Sequence, residues 1–230
     1  ADQGHFLSSL DGGHNWQSSR VQTEDNLLTL TWLEADGKIL VGGENGLVGV
    51  SDDGAAWSMK RADTETPITQ FHVFNELGVG TSAWGRLLLS RDGGESWAMV
   101  QAPSSLYFND AAYDSKHQAI VLTSHNGHIL YSNDEGHNWH QIKAPYQGRL
   151  QALQSVIYNS HTQQLVAFGA HGAVVQSDDG GQNWQSRPSR LSTSFAHVLY
   201  HPEQKSYIAV GKRGFRAIGK GPEKAWTVVH

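Results

Sequence analysis

An all-β fold of repeated four-stranded sheets, the arrangement of a β-propeller, is what this sequence predicts, and three observations predict it. An octad, Ser-x-Asp-x-Gly-x-x-Trp, recurs along the chain. A glycine stands five residues before each copy. The tryptophans that close the octads return at a nearly constant interval.

The octad is complete at Ser9-x-Asp11-x-Gly13-x-x-Trp16, at Ser90-x-Asp92-x-Gly94-x-x-Trp97, at Ser132-x-Asp134-x-Gly136-x-x-Trp139 and at Ser177-x-Asp179-x-Gly181-x-x-Trp184. A fifth copy, Ser51-x-Asp53-Gly54-x-x-Trp57, is one residue short, and a sixth survives as Gly219 and Trp226. Successive tryptophans are 41, 40, 42, 45 and 42 residues apart, the length of one four-stranded propeller blade. The preceding glycines, Gly4, Gly46, Gly85, Gly127, Gly172 and Gly214, add a second fixed turn to each repeat.

Two further β-type runs separate each tryptophan from the next glycine, for example Leu27 to Leu33 followed by Lys38 to Val41. Each repeat therefore has four strands: an inner A (Phe195 to Tyr200), then B (Ser206 to Val210), C (Gly172 to Gln176) and D (Asn183 to Ser186), with the octad turning C into D. The repeats fall at 1–20 (strands C and D alone), 21–61, 62–101, 102–143, 144–187 and 188–230. Five and a half blades are thus legible. An open propeller would leave strand edges bare, so a seven-bladed parent, or self-association of two chains, is expected.

Within the octad, Ser and Asp fold back onto local N–H groups, Gly supplies positive φ, and Trp packs between adjacent blades. Calcium is the alternative for Asp52-Asp53, Asp134-Glu135 and Asp178-Asp179. These loops lack the ligand spacing of calcium motifs, so the boxes are read as structural.

Composition narrows the function. The chain has 230 residues, 25 glycines and a net charge of -5, without the basic excess that nucleic-acid binding calls for. No run of about 18 apolar residues is present, so no membrane-spanning helix is expected. Cysteine is absent, which removes thiolate metal sites and cysteine nucleophiles.

The octad, the glycine before it and the period resemble the bacterial neuraminidase repeat, or Asp-box, superfamily over all 230 residues. The run Val41-Gly42-x-x-Asn45-Gly46-x-Val48-x-x-Ser51-x-Asp53-Gly54 and its echo Phe168-Gly169-x-x-Gly172-x-Val174-x-x-Ser177-x-Asp179-x-Gly181 resemble the photosystem II stability and assembly factor-like propellers. That resemblance implies a seven-bladed, exported protein of the periplasm, thylakoid lumen or cell surface. It implies no enzymatic activity and no cofactor, and a role in assembling or stabilising a membrane protein complex by binding a membrane protein or its exported segment. It also implies an arginine-bearing surface, for which Arg86, Arg213 and Arg216 beside the strand C turns are the counterparts; Glu44, His125 and His171 stand at matching places in other repeats.

Strand directions put the B–C turns and D–A links on one face. The residues before each strand C glycine differ in every repeat: Asp2-Gln3, Glu44-Asn45, Ala83-Trp84, His125-Asn126, Ala170-His171 and Lys212-Arg213. A changing set on a rigid frame is where binding lives. Trp84 is the foremost candidate, since an exposed turn has no packing need for tryptophan. His125, His128 and His171 bring imidazoles to neighbouring turns, but nothing fixes their spacing and no metal is assigned. Strand A offers Gln70, His72, Asp110, Ser155 and His197 as channel-lining residues, with Phe74, Tyr113, Tyr158 and Tyr200 between blades.

Two other functions compete. A glycan- or peptide-binding module would use Trp84 and the histidine turns. A sialidase-like glycoside hydrolase would need paired carboxylates and converging arginines; Glu44, Asp63, Glu65, Asp110, Arg86, Arg149 and Arg213 are its candidates and form no recognisable set.

Overall fold

The computed structural model describes residues 2–33, 37–103, 106–145, 152–187, 189, 191–222 and 226–229, and the backbone but not the side chain of Asp2. It divides into two compact units, Ala1–Ala102 and Pro103–His230.

In the first unit β1 (His5–Ser8) and β2 (Gln17–Arg20) form a two-stranded hairpin. Two four-stranded antiparallel sheets follow in simple up-and-down order. One comprises β3 (Leu27–Leu33), β4 (Lys38–Gly43), β5 (Leu47–Ser51) and β6 (Ser58–Arg61), the other β7 (Ile68–Phe74), β8 (Leu77–Ser82), β9 (Arg86–Ser90) and β10 (Ala98–Val100).

The second unit has three such sheets. The first is β11 (Phe108–Asp114), β12 (Ala119–Ser124), β13 (His128–Ser132) and β14 (His140–Lys143). The next is β15 (Leu153–Asn159), β16 (Gln164–Gly169), β17 (Val174–Ser177) and β18 (Gln185–Ser186). The last is β19 (Phe195–His201), β20 (Ser206–Gly211), β21 (Arg216–Gly219) and β22 (Trp226–Val228). Each sheet is one A–B–C–D repeat. In the fifth repeat strand C starts at Val174 and strand D is only two residues long, both shorter than the sequence suggests.

The core lies between successive sheets. In the first unit Leu33, Leu40 and Val48 of one sheet pack on Ile68, Phe71, Leu88 and Trp97 of the next. In the second, Ala112, Val121 and Ile129 pack on Leu153, Val156, Leu165 and Trp184, and Val166, Phe168 and Val174 on Phe195, Val198, Tyr207 and Ala209. The sheet β15–β18 is covered on both faces, which explains the continuous apolar run Leu165 to Phe168 in place of strict alternation.

The octads form the C–D turns. In the fifth repeat the Ser177 hydroxyl donates to Asp179 Oδ1 at 2.9 Å and accepts from Gly181 N at 3.0 Å. Asp179 Oδ1 accepts from Asn183 N at 2.9 Å and Oδ2 from the Asn183 amide at 2.7 Å. Both carboxylate oxygens are thus occupied by the turn itself. The backbone N–H and side chain of Asn15, together with Ser9, hold Asp11 down to about 2, and the backbone and side chain of Asn138, together with Ser132, do the same for Asp134.

The tryptophans of the third and fifth octads are buried, and each indole N–H donates to its octad glycine, Trp97 to Gly94 O and Trp184 to Gly181 O at 2.9 Å. Trp16 makes the same bond to Gly13 O at 3.0 Å yet is 58% exposed, contrary to the interblade packing expected of every copy. The cause is local. Trp97 rests on Phe71 of strand A in its own sheet, ring centroids 4.5 Å apart, and the first repeat holds no strand A among the described residues.

Candidate functional site

The B–C turn is built the same way in most repeats. Strands B and C are joined by three residues, of which the second and third have positive φ: Asn45 (53°) and Gly46 (68°), Trp84 (61°) and Gly85 (72°), His171 (53°) and Gly172 (73°), Arg213 (58°) and Gly214 (74°). The left-handed conformation costs a non-glycine residue about 1–2 kcal/mol. It is therefore a property of the turn and not of the side chain it carries.

In the second and fifth repeats the third position must be glycine because the D–A link runs directly beneath it. A Cβ on Gly46 would lie 2.0 Å from Thr64 O and one on Gly172 1.9 Å from Leu191 O. Link and turn are also hydrogen-bonded, Ala62 N to Gly46 O at 2.9 Å and Ser189 N to Gly172 O at 3.2 Å. The second position is thereby held rigidly with its side chain outward.

In the first unit Trp84 occupies such a tip and is 61% exposed. Arg86, two residues on, is also exposed, its guanidinium 3.7 Å from Met99 Sδ. Glu44 is different. Its carboxylate accepts from Asn26 N at 3.2 Å and Asn26 Nδ2 at 3.1 Å, which ties the turn to the preceding link. Arg61 closes the same cluster: it donates to Glu44 O and Asn45 O at 3.0 Å and forms an ion pair with Asp25. Burial alone would raise the Asp25 carboxyl, but hydrogen bonds from Asn45 and Arg61 and the charge of Arg61 leave it below its usual value. Beside this cluster opens a cleft of about 920 Å³ lined by Arg20, Glu24, Asp25, Met59, Lys60 and Arg61. Sequence reasoning named Glu44 but missed Asp25 and Arg61, which are 36 residues apart.

In the second unit His125, His171, Arg213 and Arg216 are exposed, the first three on B–C turns and Arg216 at the start of β21. His128 Nδ1 lies 3.0 Å from Asn126 Oδ1. Among the described residues no three His, Asp or Glu side chains gather as a metal site.

Two strand A candidates are not lining residues. Every described strand A carries a bulge near its start, as between Phe108 and Asp110 or Leu153 and Ser155. Asp110 and Ser155, the residues just past it, are buried. Asp110 Oδ2 accepts from Ser155 Oγ at 2.8 Å and Val156 N at 2.9 Å, and Ser155 Oγ accepts from Val198 N at 3.2 Å, so three consecutive A strands are tied together. This removes Asp110 from the hydrolytic candidates. His197 is exposed, with Nδ1 3.9 Å from Asp110 Oδ2, while Gln70 and His72 are half-buried. Asp63 and Glu65 are exposed on a D–A link; Arg149 lies outside the described residues.

These sheets and turns define an all-β propeller fold. Solved structures that share it include three that match this chain. "YCF48 bound to D1 peptide" matches with a TM-score of 0.73 at 15% identity, covering 99% of this chain and 74% of that one. "YCF48 from Cyanidioschyzon merolae" matches with a TM-score of 0.64 at 15% identity, covering 91% and 74%. "Crystal Structure of Mitotic Checkpoint Complex" matches with a TM-score of 0.77 at 10% identity, covering 99% and 71%. By sequence, residues 85–186 are similar to the Sortilin-Vps10 family (sortilin, neurotensin receptor 3). Among curated proteins none matches.

Proposed function

We propose that this chain is a non-enzymatic Asp-box propeller, exported to the periplasm, thylakoid lumen or cell surface. It binds a protein partner through the exposed tips of its B–C turns and so assists assembly or stability of a membrane protein complex. The carrying observation is the set of rigid, left-handed turn tips, each presenting a different exposed side chain on the same backbone, with Trp84 as an aromatic anchor and Arg213 and Arg216 as charged contacts. The likeness to a propeller described as bound to a D1 peptide supports a peptide-like partner segment. The cationic tips suit an acidic stretch or a terminal carboxylate.

The test is affinity capture from detergent extracts of the source cell envelope with the parent chain, Arg213→Glu/Arg216→Glu and Trp84→Ala. A near-stoichiometric membrane protein lost with the arginine variant is expected; no protein enriched over the variants would refute the reading. An exposed Trp84 also suits a sugar face. Under that second reading Trp84→Ala abolishes binding on a glycan array and the arginine variant leaves it intact.

A further inference from the structure

The sixth repeat keeps the tryptophan of the octad but not its polar residues: Gly219 stands at the Ser position and Gly221 at the Asp position. The Trp226 indole donates to Pro222 O, four residues back, at 3.4 Å, whereas Trp184 donates to Gly181 O, three back, at 2.9 Å. The junction of the fifth and sixth repeats is altered with it, at the A–B and C–D ends of the strands, opposite the B–C turns.

The junction before it shows how a complete octad packs. A Cβ on Gly180 would lie 2.9 Å from His117 Cβ and 3.3 Å from Ala119 Cβ, and one on Gly181 2.8 Å from Val121 Cγ2 and 3.4 Å from Tyr131 Cβ. The fifth octad thus sits directly on the A–B turn and sheet of the fourth repeat. Strand pairing equates His117, Ala119 and Tyr131 with Thr162, Gln164 and Gln176 of the fifth repeat. There the three residues line a pocket of about 530 Å³, shared with Tyr200, Lys205, Tyr207 and Lys220 of the sixth, within the size range of small-molecule sites. Both sides of the junction have changed together. The octad has lost its Ser and Asp, and the alanine and tyrosine that receive it one repeat earlier are glutamines.

The pocket is polar and carries positive charge. Tyr207 is buried, and its hydroxyl accepts from Asn159 Nδ2 at 2.6 Å, while Asn159 Oδ1 is occupied by His161 N at 3.0 Å and Thr162 N at 3.1 Å. The amide orientation is thereby fixed, and the Tyr207 hydroxyl proton has no acceptor among the described residues. Burial pushes this hydroxyl above its ordinary value, so it stays protonated and able to donate. Lys205 and Lys220 are exposed at the rim. Lys220 Nζ gives one bond to Gln204 O at 2.9 Å and keeps two protons for a ligand. No described Asp or Glu lines the pocket. Tyr200, half-buried with its ring 5.2 Å from that of Tyr207, adds an aromatic surface.

We propose that this pocket binds an acidic sugar, a uronic acid residue, through its carboxylate at Lys205 and Lys220 and its hydroxyls at Gln164, Gln176 and Tyr207. Sugar hydroxyls both donate and accept, which matches the two glutamine amides, and the apolar face of the ring suits Tyr200. An inorganic oxyanion would engage the lysines but not the glutamine carbonyls. The site is separate from the turn tips and does not rest on the function proposed for them.

The experiment titrates the isotope-labelled full chain with galacturonate and glucuronate, and in parallel with galactose, glucose and inorganic phosphate, and follows amide chemical shifts. Saturable shifts confined to residues 159–164, 176, 200–207 and 219–222 are expected, with a Kd of about 0.1–1 mM for a uronate and at least roughly tenfold weaker binding of the neutral sugars. Lys205→Gln/Lys220→Gln weakens uronate binding at least roughly fivefold, while Trp84→Ala leaves it unchanged. Both lysines are exposed, so the variant folds. No binding at roughly 10 mM uronate, neutral sugars or phosphate bound as tightly as the uronate, or indifference to the lysine variant overturns the proposal.

Discussion

Two glycines at the same position of neighbouring repeats provide a controlled test of how the turn face is held. Gly172 and Gly214 have φ of 73° and 74°, so alanine pays the same left-handed penalty at both, about 1–2 kcal/mol. Their surroundings differ. A Cβ on Gly172 would sit 1.9 Å from Leu191 O and 2.9 Å from Ser189 Oγ, whereas one on Gly214 meets nothing within 4 Å. At Gly172 the obstacle is backbone, and moving it breaks the Ser189 N to Gly172 O bond. Gly172→Ala should therefore lose about 2–3 kcal/mol more than Gly214→Ala, a further fall of roughly 4–12 °C in Tm for a chain of this size. Urea and thermal unfolding followed by tryptophan fluorescence measure both variants. Equal losses would show that the left-handed turn alone demands glycine and that the link beneath it is not close-packed.

Other outcomes follow from the same geometry. Trp84→Gly should raise stability by about 0.5–1 kcal/mol, because the tip has φ of 61° and the ring is largely exposed, while abolishing partner capture; a loss of stability would mean that the ring packs. Ser177→Ala should cost about 1–3 kcal/mol, since the buried Gly181 N–H loses its acceptor, and Ser9→Ala clearly less because its octad is exposed; denaturation midpoints decide. Asp11 and Asp134 are held at about 2, below their ordinary 3.8. A depressed carboxyl stabilises the fold above its unfolded value, and that contribution is lost as pH falls from about 4 towards 2. Tm should drop through that window, less steeply in Asp134→Asn; a flat profile from about pH 5 to pH 2 would refute it.

The octads were legible because their chemistry is local. Ser177 to Gly181 and Asp179 to Asn183 span four residues each, so spacing alone displays the bonds. The period and the preceding glycine likewise announced the four-stranded repeat. What the glycine is for was not legible, because the carbonyl that excludes a Cβ at Gly172 belongs to Leu191, on a separate link. The fate of Asp110 was hidden for another reason. A carboxylate placed by pattern among the lining residues is buried because its donors, Ser155 and Val156, lie some 45 residues away on the next strand A. Arg61 and Asp25 are separated in the same way. Sequence by itself determined the repeat, its turns and the position that varies, since these rest on contacts within a few residues. Tertiary structure alone decided which variable residues are exposed and which are tied down, since burial depends on which strand or link lies alongside.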